Sequence, residues 1–183
     1  MLKHLPNFLS LLRLAAAPIT AWLILEGYDT SAFLLFVAAG LSDGLDGFIA
    51  RRWNFTSRFG AWLDPAADKL LMLLCFLALL DIGVTPWWLV ALVVVRDLCI
   101  VGGSALARIL SVPLTVQASL LGKISTVVQI AYIGGCLLLQ VFDLESQRLL
   151  FAGAFATAVF TLVSGLGYAS TLIRAMMARH HLV

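Results

Sequence analysis

"SDGLDGFIARRWNFTSRFGAWLDPAADK", residues 42–69, sets four aspartates (Asp43, Asp46, Asp64 and Asp68) among segments otherwise apolar enough to be membrane helices. Apolar residues make up 62% of the 183-residue chain. An aspartate at the centre of a membrane helix costs about 2.5–3.5 kcal/mol on insertion scales, so four unpaired ones would cost on the order of 10 kcal/mol. These carboxylates need partners, and their spacing says what kind.

Asp43 and Asp46 are three residues apart, and Asp64 and Asp68 are four apart. Either spacing puts both carboxylates on one helix face. The intervening loop is short, which predicts antiparallel neighbouring helices whose acids converge near the membrane surface. Four carboxylates cannot share such a space while ionised unless cations neutralise them. Hard oxygen ligands of this kind suit Mg²⁺ or Mn²⁺, and four are enough for two divalent ions. Divalent metals in turn bind and polarise diphosphates. Gly44, Gly47 and Ala50 on one segment, and Gly60, Ala61, Ala66 and Ala67 on the other, let helices pack closely and let a ligand approach backbone. The plainer alternative is a buried ionic network with Arg51, Arg52 or Lys69, but four acids at these spacings exceed what packing requires.

The rest of the chain excludes most other classes. Mean hydropathy is +1.02 and charged residues make up only 12%, against about 25% in a soluble domain. Six apolar segments are long enough to span a bilayer, roughly 6–26, 31–51, 61–82, 86–109, 117–141 and 147–173. Turn chemistry separates them, and neither a repeat nor a long linker interrupts the chain, so the expectation is a single domain over residues 1–183. Arg13 breaks the first apolar run, and no small-residue cleavage site follows it, unlike a signal peptide. Cys75, Cys99 and Cys136 lie singly in apolar runs and read as small packing residues. A nucleic-acid partner finds no basic patch with interleaved aromatics.

Loop charges set the orientation. Lys3, Arg51, Arg52, Arg58, Arg108, Arg174 and Arg179 fall on one side, while Glu26, Asp29, Asp81, Asp143 and Glu145 face a single Arg148 on the other. The positive-inside rule then predicts an all-α polytopic membrane protein of six transmembrane helices with both termini cytoplasmic. The aspartates would lie at the cytoplasmic face, which is the inner-membrane surface in a bacterium.

The run Asp43-x2-Asp46-Gly47-x2-Ala50-Arg51-x8-Gly60-x3-Asp64-x3-Asp68 resembles, at every fixed position, the signature of the CDP-alcohol phosphatidyltransferases. The six-segment layout is similar to that family's as well. The resemblance implies transfer of a phosphatidyl group from CDP-diacylglycerol to an alcohol, with release of CMP. It implies that Asp43, Asp46, Asp64 and Asp68 hold divalent metal, and that Asp68 is also the base toward the acceptor hydroxyl. It places CDP against Gly47, Ala50, Arg51 and Gly60, and it implies a homodimer. The remaining residues are consistent with a carboxylate base. His4, His180 and His181 are all terminal, and no Ser-His or Cys-His pair suggests a covalent intermediate.

The acceptor is read from three cations. Arg96, beside Asp97, interrupts the fourth segment, and Lys123 interrupts the fifth; a phosphate-bearing acceptor would use both. Snorkelling is the alternative for Lys123, near the start of its segment. These segments, with "LPNFLSLLRLAAAPI" and its Arg13, resemble the glycerol-type branch, which takes glycerol-3-phosphate or phosphatidylglycerol. Arg96-Asp97 is closer to the pattern of the CDP-diacylglycerol-using cardiolipin synthases, and both acceptors stay open. Inositol phosphate or serine would be the acceptor in other branches. A cation transporter would instead carry acids near the midplane of several helices or in matching halves.

The charge asymmetry makes one direct prediction. A reporter fused after Val183 should read as cytoplasmic; an external signal would contradict the orientation and the access of soluble substrates to the aspartates.

Overall fold

A computed structural model of the chain is all-helical, with six α-helices: α1 (Leu5–Leu25), α2 (Asp29–Trp53), α3 (Gly60–Asp81), α4 (Trp87–Ile109), α5 (Leu120–Val141) and α6 (Gln147–His180). The structure describes the backbone of residues 5–53, 60–109, 120–144 and 146–180, and the side chains of 10–42, 66–107, 109, 120–144 and 146–177. Each helix coincides with an expected apolar segment to within a few residues, except that α6 runs on to His180 rather than stopping at 173. Residues 168–180 contain neither glycine nor proline, so helix propensity carries the backbone past the point where hydropathy fades. At 34 residues, α6 is about 51 Å long, against about 30 Å for a bilayer core. Among the described residues, α4, α5 and α6 are long and apolar enough to cross a membrane.

Two helices, α1 and α6, bury mostly small and polar residues. On α1 the buried stripe is Ser10, Arg13, Ala17, Thr20 and Ile24, at alternating steps of three and four, while Leu11, Leu12, Ile19 and Trp22 face outward. On α6 the buried stripe is Ala154, Thr157, Ala158, Thr161 and Ser164, with Phe151, Phe155, Leu162 and Leu166 outside. On these two helices most inward residues are small or polar and the large apolar ones face outward, as expected where the surroundings are as apolar as leucine and water drives no helix association.

The chain divides into two compact units, Met1–Thr85 with Ile133–Ser146, and Pro86–Tyr132 with Gln147–Val183. In the first, α1 packs against both α2 and α3. The face that α3 buries is apolar, with Ala67, Leu71, Cys75, Phe76 and Leu79. In the second, α4 packs along α6. Arg96 meets Ser164, and Gly103 lies against Tyr168 and Leu172, so α4 and α6 run parallel. Leu121 meets Gly167, Gln129 meets Thr161 and Tyr132 meets Gly153, so the first part of α5 runs antiparallel to α6. A Cβ at Gly103 or Gly153 would come within 3.0 Å of its neighbour's side chain, which is why those approaches use glycine.

Three helices end in the same way. Gly27 (φ 74°), Gly83 (φ 77°) and Asp143 (φ 51°) each adopt the left-handed conformation just past α1, α3 and α5. The N–H of Tyr28 donates to Leu23 O at 2.9 Å, Val84 to Leu79 O at 2.9 Å, and Leu144 to Leu139 O at 2.9 Å. Gly27, Gly83 and Asp143 donate to Ile24, Leu80 and Gln140 carbonyls at 3.2, 3.0 and 3.0 Å. This is the Schellman arrangement, which satisfies carbonyls left open by the helix end, with apolar residues at both ends of each longer bond.

A Cβ at Gly83 would meet nothing within 4 Å, so Gly83→Ala tests the backbone alone. It should destabilise the protein by about 1–2 kcal/mol, the penalty of a left-handed non-glycine residue. Asp143→Gly should be neutral or stabilising. Thermal unfolding of the detergent-solubilised variants checks both.

Candidate active site

The acidic signature lies on two helices of the first unit. Asp43, Asp46, Gly47, Ala50 and Arg51 belong to α2, and Gly60, Asp64 and Asp68 to α3. The backbone is helical through 43–46 and through 64–68. The side chains of Asp43, Asp46, Gly47, Ala50, Arg51, Gly60 and Asp64 lie outside the described residues, as does the whole loop 54–59. The convergence expected of the four carboxylates therefore also lies outside them. Among the described residues, no three acids, histidines or cysteines come together.

Asp68 is the acid whose surroundings are seen. It accepts a hydrogen bond from Arg13 Nη1 to Oδ1 at 2.6 Å, joining α1 to α3. The arginine is sealed, with 2% of its side chain exposed, whereas 39% of Asp68 is open. Arg13 can occupy the packed face of α1 because Ser10, Ala17 and Thr20 around it are small. A buried guanidinium facing a partly open carboxylate fixes where that carboxylate points, by a charge-assisted bond stronger than a neutral one. The guanidinium, expected at the acceptor, is here placed on the candidate base.

Arg96 and Lys123 lie in the second unit. Arg96 is 7% exposed and makes two contacts, Nη1 to Asp97 Oδ1 at 2.7 Å and Nη2 to Ser164 Oγ at 2.8 Å. Neighbouring residues on a helix do not ordinarily face each other. The long stem of Arg96, lying across Gly165 on α6, lets the guanidinium turn back to Asp97. That contact neutralises a cation which alone would be costly here, and removing one partner of a buried pair typically costs about 3–5 kcal/mol. Lys123 is exposed on the first turn of α5 and makes no hydrogen bond or ion pair among the described residues.

Reasoning from sequence passed over Ser125, Gln129, Ser164 and Tyr168. Gln129 Nε2 donates to Thr161 Oγ1 at 3.0 Å, wholly buried between α5 and α6. The available signal was polar residues at spacings of three and four inside apolar segments: Ser125 and Gln129 in one, Thr157, Thr161, Ser164 and Tyr168 in another.

The chain also has known relatives. It is 33% identical over 183 residues to CDP-diacylglycerol–glycerol-3-phosphate 3-phosphatidyltransferase 1, chloroplastic, of Oryza sativa subsp. japonica, covering 90% of this chain and 56% of that protein. It is 32% identical to CDP-diacylglycerol–glycerol-3-phosphate 3-phosphatidyltransferase of Bacillus subtilis (strain 168), covering 91% of this chain and 94% of that one. It is 31% identical to cardiolipin synthase (CMP-forming) of Rattus norvegicus, covering 90% and 60%. The chain thus spans little more than half the length of the rice and rat relatives it matches. Residues 3–180 match the family described as CDP-alcohol phosphatidyltransferase. With the acidic signature carried on α2 and α3, and with nearly its whole length matched, the chain belongs to the CDP-alcohol phosphatidyltransferase family.

Proposed function

We propose that the protein transfers the phosphatidyl group of CDP-diacylglycerol to a glycerol-type alcohol and releases CMP, in phospholipid biosynthesis. The observation that carries this reading is the eight-residue acidic signature, borne by two helices of one compact unit and anchored at Asp68 by Arg13. Relatives named for glycerol-3-phosphate transfer and for cardiolipin synthesis match at 31–33% identity, which supports a glycerol-type acceptor without separating the two.

The donor set fits a divalent cation. Asp43, Asp46, Asp64 and Asp68 offer hard carboxylate oxygens from α2 and α3, and the Asp68 side chain is 39% exposed beside Arg13. They would hold one or two Mg²⁺ or Mn²⁺ ions, whose contribution when bound is to neutralise the diphosphate and polarise its phosphoryl oxygens. The acceptor hydroxyl oxygen forms a bond to the phosphorus bearing the diacylglycerol. The bond from that phosphorus to the oxygen of CMP breaks, and CMP departs with the electron pair. Asp68 takes the hydroxyl proton, and Arg13 keeps its carboxylate in position for this. Gly47, Ala50, Arg51 and Gly60 accommodate the CDP moiety, and Arg96 and Lys123 serve the acceptor phosphate. All six helices span the membrane with both termini cytoplasmic, and the protein acts as a homodimer.

Asp43→Asn and Asp64→Asn should each abolish CMP release, and chelation should abolish it in the unmodified protein; persistence in both experiments would remove the metal from the reading. Asp68→Asn should lower kcat by about 10²–10⁴, the usual range for a general base. It should weaken CDP-diacylglycerol binding less than Asp43→Asn does, and equal loss of binding would make Asp68 a ligand rather than the base. Product analysis separates the acceptors. Phosphatidylglycerophosphate would identify glycerol-3-phosphate, cardiolipin would identify phosphatidylglycerol, and exclusive use of serine or inositol phosphate would overturn the glycerol-type reading.

A further inference from the structure

The second unit, Pro86–Tyr132 with Gln147–Val183, holds one acid, Asp97, against the cations Arg96, Arg108, Lys123, Arg148, Arg174 and Arg179. Asp97 is already taken by Arg96. Arg148 stands at the start of α6. The other four cations gather at the opposite end of the unit: Arg108 on the last turn of α4, Lys123 on the first turn of α5, and Arg174 and Arg179 toward the end of α6. The helix directions bring them to one end, since α4 and α6 run parallel and α5 comes back against them with Leu121 meeting Gly167. The unit has no acid left to pair with them. The acidic signature is different, because Arg51, Arg52 and Lys69 there lie among four aspartates.

Lys123 and Arg174 are exposed, and neither makes a hydrogen bond or ion pair among the described residues. Large apolar side chains are exposed at the same end, Leu106 and Ile109 on α4 and Ile173 and Met177 on α6. Beyond Gly167, where α5 meets it, α6 runs a further 13 residues to His180, about 20 Å. Its first part there is accompanied by α4, whose Gly103 lies against Tyr168 and Leu172. Water is a poor setting for the four apolar side chains, and hydrocarbon is a costly one for the cations. The boundary between headgroups and acyl chains suits both, with apolar side chains among the chains and cations reaching the phosphates. A soluble anion would answer the charges alone.

We infer that this end of the second unit is a lipid-contacting rim that selects anionic phospholipids over zwitterionic ones. Cations beside a membrane surface attract anionic headgroups, and here no acid of the same unit offsets them. The selectivity is separate from the orientation of the chain, which follows the arginines and lysines with little regard to nearby acids. It also goes beyond the proposed transfer and does not rest on it, since the contact needs neither the aspartates nor turnover.

The test uses the full chain reconstituted in phosphatidylcholine vesicles without CDP-diacylglycerol. Spin-labelled phosphatidylserine and phosphatidylcholine are compared by the fraction immobilised at the protein. Phosphatidylserine should associate about fivefold more strongly, the effect of one net cation near the surface. The triple variant Arg108→Gln, Arg174→Gln, Arg179→Gln should bring the two lipids to within about twofold of each other. Arg174→Gln alone changes one exposed side chain and should lower the preference in part, which keeps the test standing if the triple variant folds poorly. Arg148→Gln, at the opposite end, should leave the preference unchanged. Lys123 stays unaltered because it serves the acceptor in the proposed reaction. Salt at about 1 M should remove the preference, since charges are then screened within about 3 Å. No preference in the parent, or one that persists in the folded variants, would overturn the inference. So would an equal loss in Arg148→Gln. Displacement of phosphatidylserine by inorganic phosphate, but not by chloride of the same ionic strength, would assign the cations to a free anion and overturn the lipid rim.

Discussion

Polar groups that sit among apolar helices must find partners within the protein, and that constraint organises this molecule. The bond from Arg13 to Asp68 is its clearest expression. Arg13 is sealed on the packed face of α1, and its guanidinium reaches across to the carboxylate on α3, tying together the two helices while leaving the acid partly open. The buried arginine is answered by Asp68, and because it cannot turn to solvent it helps hold the carboxylate in place. The helix interface and the candidate chemistry share one contact.

The second unit solves the same problem differently. Arg96 is neutralised by its own neighbour Asp97 and steadied by Ser164, with Gly165 making room for its stem. While α4 buries Leu89, Val90 and Val93 as well, along α6 the buried residues are alanine, threonine and serine, and Phe151, Phe155, Leu162 and Leu166 point outward. This inversion lets small residues bring helix backbones close, as at Gly103 and Gly153, and it lets polar side chains meet across the interface. It also means that an unsatisfied polar atom here stands out, because water does not serve as a general partner inside the bilayer.

Connections matter as much as interiors. The turns after α1, α3 and α5 share one geometry, in which a left-handed residue closes the helix and an apolar residue follows it. Two of them use glycine and the third uses aspartate, so the pattern belongs to the backbone rather than to a single residue type. Each turn closes its helix within a few residues.

Much of this was written in the linear sequence. Hydropathy located six helices to within a few residues, because apolar content over some twenty positions is a local property and helix formation follows it. The spacing of Asp43, Asp46, Asp64 and Asp68 identified the acidic signature, because helical periodicity converts spacing into a shared face. The length of α6 was missed because hydropathy fades before helix propensity does. What only the tertiary structure decided is which polar residue meets which. Arg13 and Asp68 are 55 positions apart, Arg96 and Ser164 are 68 apart, and Gln129 and Thr161 are 32 apart. Nothing in the local sequence separates a serine that returns to its own helix from Ser125, which does not. Those pairings depend on how helices rotate about their axes and slide past one another, and that is settled by close packing at glycines and by the penalty on every unpaired buried group.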